Sequence, residues 1–490
     1  MRARALSLTG LLLAALASAP AAAVGAAPGP SIARCALGGR EPVADAFARG
    51  LAARERAYAA ARPAPERAHA RRAYAAGAAA WVFGMPSVLL RATVARYPTN
   101  RLAGAARLAD PSTTVIVAPN HDTTYAIAHI DLRQGPLVID APDTRGRYSV
   151  LQLMDTFTNA FAYVGAGRER ERATSALLLP PGWHGAVPAG VRVIRSPSTV
   201  VWLLGRTLVD SGRDLAAAGA VMAGYALTPL DAWRAGRRDR ELVLDAFPAS
   251  TTGPVTLPRG RAFLSALGAA LAADPPPARD ACALEALAAQ GVGPGRVPPA
   301  RNADALAAGA RAAPAVLVRA RRRIQRQTAR RNGGWAALPP RTAGAYGRRY
   351  ALRAMVATIG LGANRAGQAV YEAAERDADD RPLDGRHRYE LRFAAGARPP
   401  VRAFWSVTLY DRRLRLWPNP LGRYVVGDRS PGLPRHGPLT VRVSHAPPKR
   451  GRARWLPAPA GAFRLYLRLY EPRAAVVDGR WRPPRIVRVG

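Results

Sequence analysis

The stretch Asn120-His121-Asp122-Thr123-Thr124-Tyr125 sets amide, imidazole, carboxylate and phenol side by side between apolar segments. In that pattern Asp122 is a candidate general base, and Asn120 and Tyr125 are candidates to orient a polar ligand, with His121 pointing to the opposite side. Asn and Asp also bond readily to nearby backbone, so Asn120 and Asp122 after Pro119 read first as an Asx-type turn, and second as one wall of a pocket. Asp155 ends the run "VLQLMD". If it meets Asp122 across a sheet, the two carboxylates make an acid/base pair or half a metal site.

Other candidates are more scattered. His445 follows the strand-like "LTVRVS" and is the best-placed imidazole of the C-terminal half, although a lone histidine at a strand end is more often structural. Trp202 and Arg206 lie in "STVVWLLGRTLV" and, with Phe157, Phe161 and Tyr163, read as the lining of a ring- or sugar-binding cleft or as plain core aromatics. Arg423 and Asp428 lie in "RYVVGDRSPGL", where a pocket contact competes with an Asp428–Arg429 pair that braces the loop. No serine sits in a nucleophile elbow, no glycine-rich loop cradles phosphate, and the histidines lack zinc spacing. The sequence therefore specifies no metal site and no cofactor.

The elements that must carry these residues follow from periodicity. "VADAFARGLAARERAYAAARPAPERAHARRAYAAGAAAWVFGMP" reads as two helices broken at Pro63 and Pro65. "PLVIDAP", "RYSVLQLMD" and "GVRVIRSP" read as strands, with "YSVLQLMD" buried on both faces. From Asp214 to about Arg365 the pattern is mainly helical, and Pro314 should kink or split the last long helix. "YELRF" and "FRLYLRLY" alternate. The second puts Phe463, Leu465, Leu467 and Leu469 on a dry face and Arg464, Tyr466, Arg468 and Tyr470 on a wet one. Three fragment pairs recur between the strand regions: "GPLVI" with "GPLTV", "VLQLMD" with "SVTLYD", and "PAGVRVIR" with "PAGAFRLYLR". Two of these pairs occur in swapped order, which suggests two domains of similar build rather than a simple tandem repeat.

The net charge of +39 invites a nucleic-acid partner, but of the 72 basic residues only Lys449 is lysine. Arginine, alanine, glycine and proline enriched together point to codon bias, and no nucleic-acid motif accompanies the charge, so no specific nucleic-acid partner is expected. Arg2 and Arg4, an apolar run from Leu11 to Leu16 and Ala21-Ala22-Ala23 have the layout of a cleavable secretory signal. The expectation is a secreted, periplasmic or cell-envelope protein with no transmembrane span in the mature chain. Cys35 and Cys282 are the two cysteines. In an oxidising compartment they either bridge or remain separate thiols.

The block "APNHDTTYAIAHIDLRQGPLVIDAPDTRGRYSVLQLMDTFTNAFAYVG" resembles the domain of unknown function 1254. "YELRF", "VRAFWSVTLYD", "NPLGRYVVGDRSPGL" and "WLPAPAGAFRLYLRLYEP" resemble its companion, the domain of unknown function 1214. The resemblance implies a mainly β, jelly-roll-like build with helical additions and no settled activity. His121 stands where the family's turn usually has a second Asn, and "AGRERERAT" replaces its Thr- and Gly-rich loop. The expected architecture is α+β, with two antiparallel β-sandwich domains. It runs as a signal peptide over 1–27, a helical lead over 40–95, a β domain over 96–212, a helical linker over 213–365 and a β domain over 366–490. The expected function is binding of a small polar or glycan-like ligand, with homo-oligomerisation open. The alternative is a hydrolase or lyase that uses the Asp122 and Asp155 carboxylates.

Overall fold

The computed structural model describes residues 35–38, 41–105, 107–114, 118–210, 212–244, 255–296, 298–337, 342–434 and 436–490. The expected signal segment lies outside them. The helices are α1 (Pro42–Ala60), α2 (Arg67–Val94), α3 (Leu215–Ala223), α4 (Leu230–Arg234), α5 (Arg261–Ala273), α6 (Ala281–Ala288), α7 (Ala300–Arg331), α8 (Tyr350–Gly360) and α9 (Ala474–Val477). The strands are β1 (Leu102–Gly104), β2 (Thr123–Asp131), β3 (Leu137–Ala141), β4 (Ser149–Met154), β5 (Ala160–Val164), β6 (Thr174–Leu179), β7 (Arg192–Arg195), β8 (Val200–Leu208), β9 (Ala226–Pro229) and β10 (Leu242–Leu244). They continue as β11 (Ala336–Ala337), β12 (Ala369–Ala374), β13 (Tyr389–Phe393), β14 (Trp405–Asp411), β15 (Val425–Gly427), β16 (Leu439–Ser444), β17 (Trp455–Pro457), β18 (Phe463–Tyr470) and β19 (Ile486–Arg488). The chain is thus α+β with antiparallel-rich sheets in two domains.

Helical lead and helical linker fold as one body. Its core joins Phe47, Phe83, Leu267, Leu306 and Met355 from five helices. At the crossing of α2 and α7 small residues are obligatory. A Cβ on Gly77 would lie 1.9 Å from the Leu306 carbonyl, and one on Gly309 would lie 1.9 Å from that of Tyr74. Pro63 and Pro65 separate α1 from α2 as expected, but Pro314 does not split α7, which runs through it for 32 residues. Buried Ala310, Ala313, Val316 and Leu317 anchor the helix on both sides of the proline, so packing offsets the one lost backbone bond. The segment Ala64–Val94 is long and apolar enough to cross a membrane, yet 89% of its apolar window is buried inside the protein.

The two β domains share one topology. In the first, one sheet has the order β10-β1-β2-β8-β4-β5 and the other β7-β6-β3-β9. In the second, the sheets run β11-β12-β18-β14-β15 and β17-β16-β13-β19. Adding ten to each of β1 through β9 converts the first domain into the second, and the sense of every pairing is kept, including the parallel pairs β6–β7 and β16–β17. Register fixes residue equivalence. Tyr125 faces Arg206 as Tyr371 faces Arg468, and Val150 faces Arg206 as Ser406 faces Arg468. In each domain both sheets contribute to one core, as with Leu151 and Leu178 in the first and Leu409 and Val441 in the second.

This topology sorts the fragment pairs read from sequence. "VLQLMD" and "SVTLYD" fall on equivalent strands β4 and β14 in the matching register. The other two pairs fall on non-equivalent strands, β3 with β16 and β7 with β18, because "GPL" and "PAG" are turn chemistry that recurs at any strand entry. A tandem duplication of topology is present despite their swapped order. The region read as a linker also differs, since β9 pairs with β3 and β10 with β1, so the first domain extends past residue 212.

The disulfide is formed. Cys35 and Cys282, 247 residues apart, bridge the start of the described chain to α6 with a Cα–Cα distance of 5.4 Å. Closing so long a loop restricts the unfolded chain, so reduction or Cys282→Ser should lower stability by about 2–5 kcal/mol, read from guanidinium denaturation with and without reductant.

Glu372, on β12 where the second domain meets α7, is 7% exposed. It accepts a 3.3 Å bond from Asn332 Nδ2, and no ion pair to it is present among the described residues. Burial pushes its carboxyl up to about 8. The folded chain therefore holds a proton that the unfolded chain releases near pH 4–5, and stability should fall as pH rises from about 5 through 8. Glu372→Gln should remove that slope and raise stability at pH 8–9 by on the order of a few kcal/mol, measured as the denaturation midpoint against pH.

Candidate functional site

The wet face expected for β18 is in fact covered. Arg468 is 4% exposed and Tyr470 1%, because the sheet containing β8 lies against it; Arg206 on β8 is 7% exposed. At the contact Tyr148 packs against Phe404 (ring centroids 5.5 Å) and Tyr470 (5.2 Å). Tyr148 and Phe404 occupy equivalent positions, so the domains meet across a local two-fold axis. The equivalent backbone bonds Leu208 N to Tyr148 O and Tyr470 N to Phe404 O, both 2.9 Å, support the same alignment.

Arginine chemistry repeats across that axis. Arg206 Nη1 donates to Gln152 Oε1 at 2.8 Å, and Arg468 Nη1 donates to the equivalent Thr408 Oγ1 at 2.7 Å. The second nitrogen of each reaches into the other domain's approach. Arg206 Nη2 donates to Gly362 O (2.9 Å), ahead of β12, and Arg468 Nη2 donates to Ala118 O (2.9 Å), ahead of β2. Arg468 Nη2 also donates to Tyr410 Oη at 2.6 Å. Both guanidiniums stay charged at any working pH.

Between the domains and the helical body lies a cavity of about 140 Å3. Tyr125 and Ile127 line it from the first domain with Leu204 and Arg206; the equivalent Tyr371, Ala373, Tyr466 and Arg468 line it from the second. Trp202, Gln325 and the turn after α8 (Leu361, Gly362) complete the wall, which is mainly apolar. Trp202 is 5% exposed, and its Nε1–H meets no acceptor among the described residues. Burial raises the phenol pKa of Tyr125 and Tyr470, so both are neutral hydroxyls near pH 7.

The structure gathers four of the residues singled out from sequence at this cavity: Asn120, Tyr125, Trp202 and Arg206. Asn120 builds the expected Asx turn, its Oδ1 accepting from Asp122 N at 2.8 Å, and its Nδ2 bridges to Tyr470 Oη at 2.6 Å. Asp122 stands behind the turn and accepts from Ser406 Oγ of the other domain at 2.7 Å. Burial pushes its carboxyl up, while the Ser406 bond and the nearby Arg468 pull it down. His121 turns away, its Nδ1 against Ala109 O and its ring edge-on to Tyr424 at 4.9 Å.

The expected Asp122–Asp155 pair does not form. Asp122 lies beside the Leu208 end of β8 and Asp155 beside its Trp202 end, roughly 26 Å apart along the strand. Asp155 instead caps the turn into β5, its Oδ1 accepting from Phe157 N (2.9 Å) and Asn159 N (2.8 Å). The equivalent Asp411 caps the turn after β14 in the same way, accepting from Arg413 N (2.8 Å) and Arg415 N (2.9 Å). His445 Nδ1 binds Ala458 O at 2.9 Å, and Arg423 Nη1 binds the Trp455 carbonyl at 3.0 Å; both brace loops away from the cavity. Asp428 accepts from Trp405 N at 3.3 Å rather than bracing Arg429, which pairs with Asp210 of the first domain. No cluster of metal-ligating side chains is present among the described residues. Sequence reading missed Tyr371, Tyr466, Arg468 and Tyr470 as site residues. The available signal was an arginine inside an apolar strand, in both "LLGRTL" and "YLRLY".

Comparison with known proteins places this arrangement. Residues 99–229 match the family described as Protein of unknown function (DUF1254), and residues 368–474 match Protein of unknown function (DUF1214). The crystal structure of the VPA0106 protein from Vibrio parahaemolyticus is similar at 22% identity with a TM-score of 0.63, over 85% of this chain and 100% of that one. That likeness shows the fold. An uncharacterised protein from Burkholderia cenocepacia aligns at 13% identity with a TM-score of 0.42, over 91% of this chain and 95% of that one. No curated protein matches. The chain therefore carries a DUF1254 domain followed by a DUF1214 domain, in the order its motifs suggested.

Proposed function

We propose that this protein is an exported binding protein whose two β domains, each a sandwich in our reading, close around a small molecule at their shared axis. The observation that carries this reading is the junction cavity of about 140 Å3, walled by both domains and by the helical body. An apolar cavity of roughly 150 Å3 holds a benzene-sized molecule, so the occupant has a body of about one ring. Its aromatic lining and few inward polar groups are those of a small-molecule site. A glycan, the other ligand class suggested by sequence, needs a longer and more polar cleft than this one. Hydrolysis by Asp122 and Asp155 loses its support with their separation.

Export is supported by the leader-like residues Arg2 to Ala23 and by the Cys35–Cys282 bridge, a bond that persists in oxidising compartments. Ala373→Trp, which places an indole in the cavity, should leave the far-ultraviolet circular dichroism unchanged. It should also abolish any thermal upshift that ring-sized compounds give the wild-type protein. Equal upshifts in the variant and the wild type would reject the cavity as the binding site.

A further inference from the structure

We propose that the occupant of the junction cavity is a small organic carboxylate with a ring-sized apolar body, its carboxylate held between Arg206 and Arg468. This rests on the binding reading above and adds the chemical class. Two permanent cations, 7% and 4% exposed, line one cavity from opposite domains. Every hydrogen-bond acceptor they meet is neutral: Gln152, Gly362, Thr408, Tyr410 and Ala118. Neither makes an ion pair with a described carboxylate, and no Asp or Glu lines the cavity among the described residues. Asp122 attracts Arg468 from nearby without pairing with it directly: its carboxylate accepts from Ser406, and no ion pair between the two is present among the described residues.

An unpaired buried charge is costly, and neutral acceptors return only part of its lost hydration. Arg206 donates two of its five available N–H bonds and Arg468 three. A carboxylate offers about four lone-pair sites and forms short charge-assisted bonds to guanidinium N–H groups. The apolar remainder selects against a bare inorganic anion, which would lose its water and gain no apolar contact. The local two-fold symmetry brings one arginine from each domain, so an anion at the axis also ties the domains together.

The test uses the mature, disulfide-bonded protein and calorimetric titration with benzoate, benzyl alcohol and inorganic phosphate. Benzoate should bind at least about tenfold tighter than benzyl alcohol, and Arg206→Met and Arg468→Met should each weaken it by about tenfold or more. Arg412→Met, on an exposed loop, should not, which separates the site from the basic surface. Equal affinity for benzoate and benzyl alcohol would overturn the carboxylate while leaving the cavity as a binding site. Phosphate binding tighter than benzoate, or a loss in Arg412→Met equal to that in the site variants, would overturn it as well. If the arginine variants fail to fold, the wild-type preference between benzoate and benzyl alcohol decides. If neither compound binds, the carboxylate proposal falls, and the Ala373→Trp comparison separately decides the cavity.

Discussion

The rest of the junction depends on the burial of two guanidiniums that cannot discharge. A buried lysine or carboxylate can shift its pKa and become neutral; arginine cannot, so its N–H groups must find acceptors or stay wet. Arg206 and Arg468 find theirs in a shared pattern: a polar side chain on the next strand and a carbonyl in the approach to the opposite domain. Those carbonyls, Gly362 and Ala118, lie outside any strand and are therefore free of ladder bonds. Each domain thus satisfies its own cation only in part, and the remaining acceptor comes from outside it.

Such an arrangement follows from duplication of one strand order. When two like domains meet through like faces, any residue near the axis meets its own counterpart, as Tyr148 meets Phe404. An arginine in the middle of a sheet face then appears twice, and the like charges must be kept apart by something between them. Here that something is a cavity walled by equivalent pairs, Tyr125 with Tyr371 and Leu204 with Tyr466. The helical body closes the remaining side through Gln325 and the turn after α8. Lead and linker, distant in sequence, share one core around Gly77 and Gly309.

Much of the scaffold was legible in the sequence. Period-two alternation placed "YELRF" with Tyr389, Leu391 and Phe393 inward, and the unbroken apolarity of "YSVLQLMD" marked a strand buried on both faces. Local turn chemistry was legible too, in the Asx turn at Asn120 and the breaks at Pro63 and Pro65. What failed were inferences about what lies across from a residue. Alternation identified a polar face on "FRLYLRLY" but could not say that another domain covers it, so Arg468 and Tyr470 were read as wet. The Asp122–Asp155 pair failed for a related reason. Both aspartates lie next to strands that flank β8, but antiparallel pairing puts them at its opposite ends.

The cost of the buried arginines also bears on why they are there. Replacing a buried charge by an apolar group of like volume is often neutral or stabilising, so fold stability alone is a weak reason for two of them at one junction. Docking specificity is one alternative reason, but it needs only the N–H groups that already reach Gln152, Thr408, Gly362 and Ala118. It does not account for the cavity beside them or for the lack of any acid among the described residues that line it. An anionic occupant accounts for both at once. It supplies the missing charge and the apolar volume that would otherwise be empty space between two sheets.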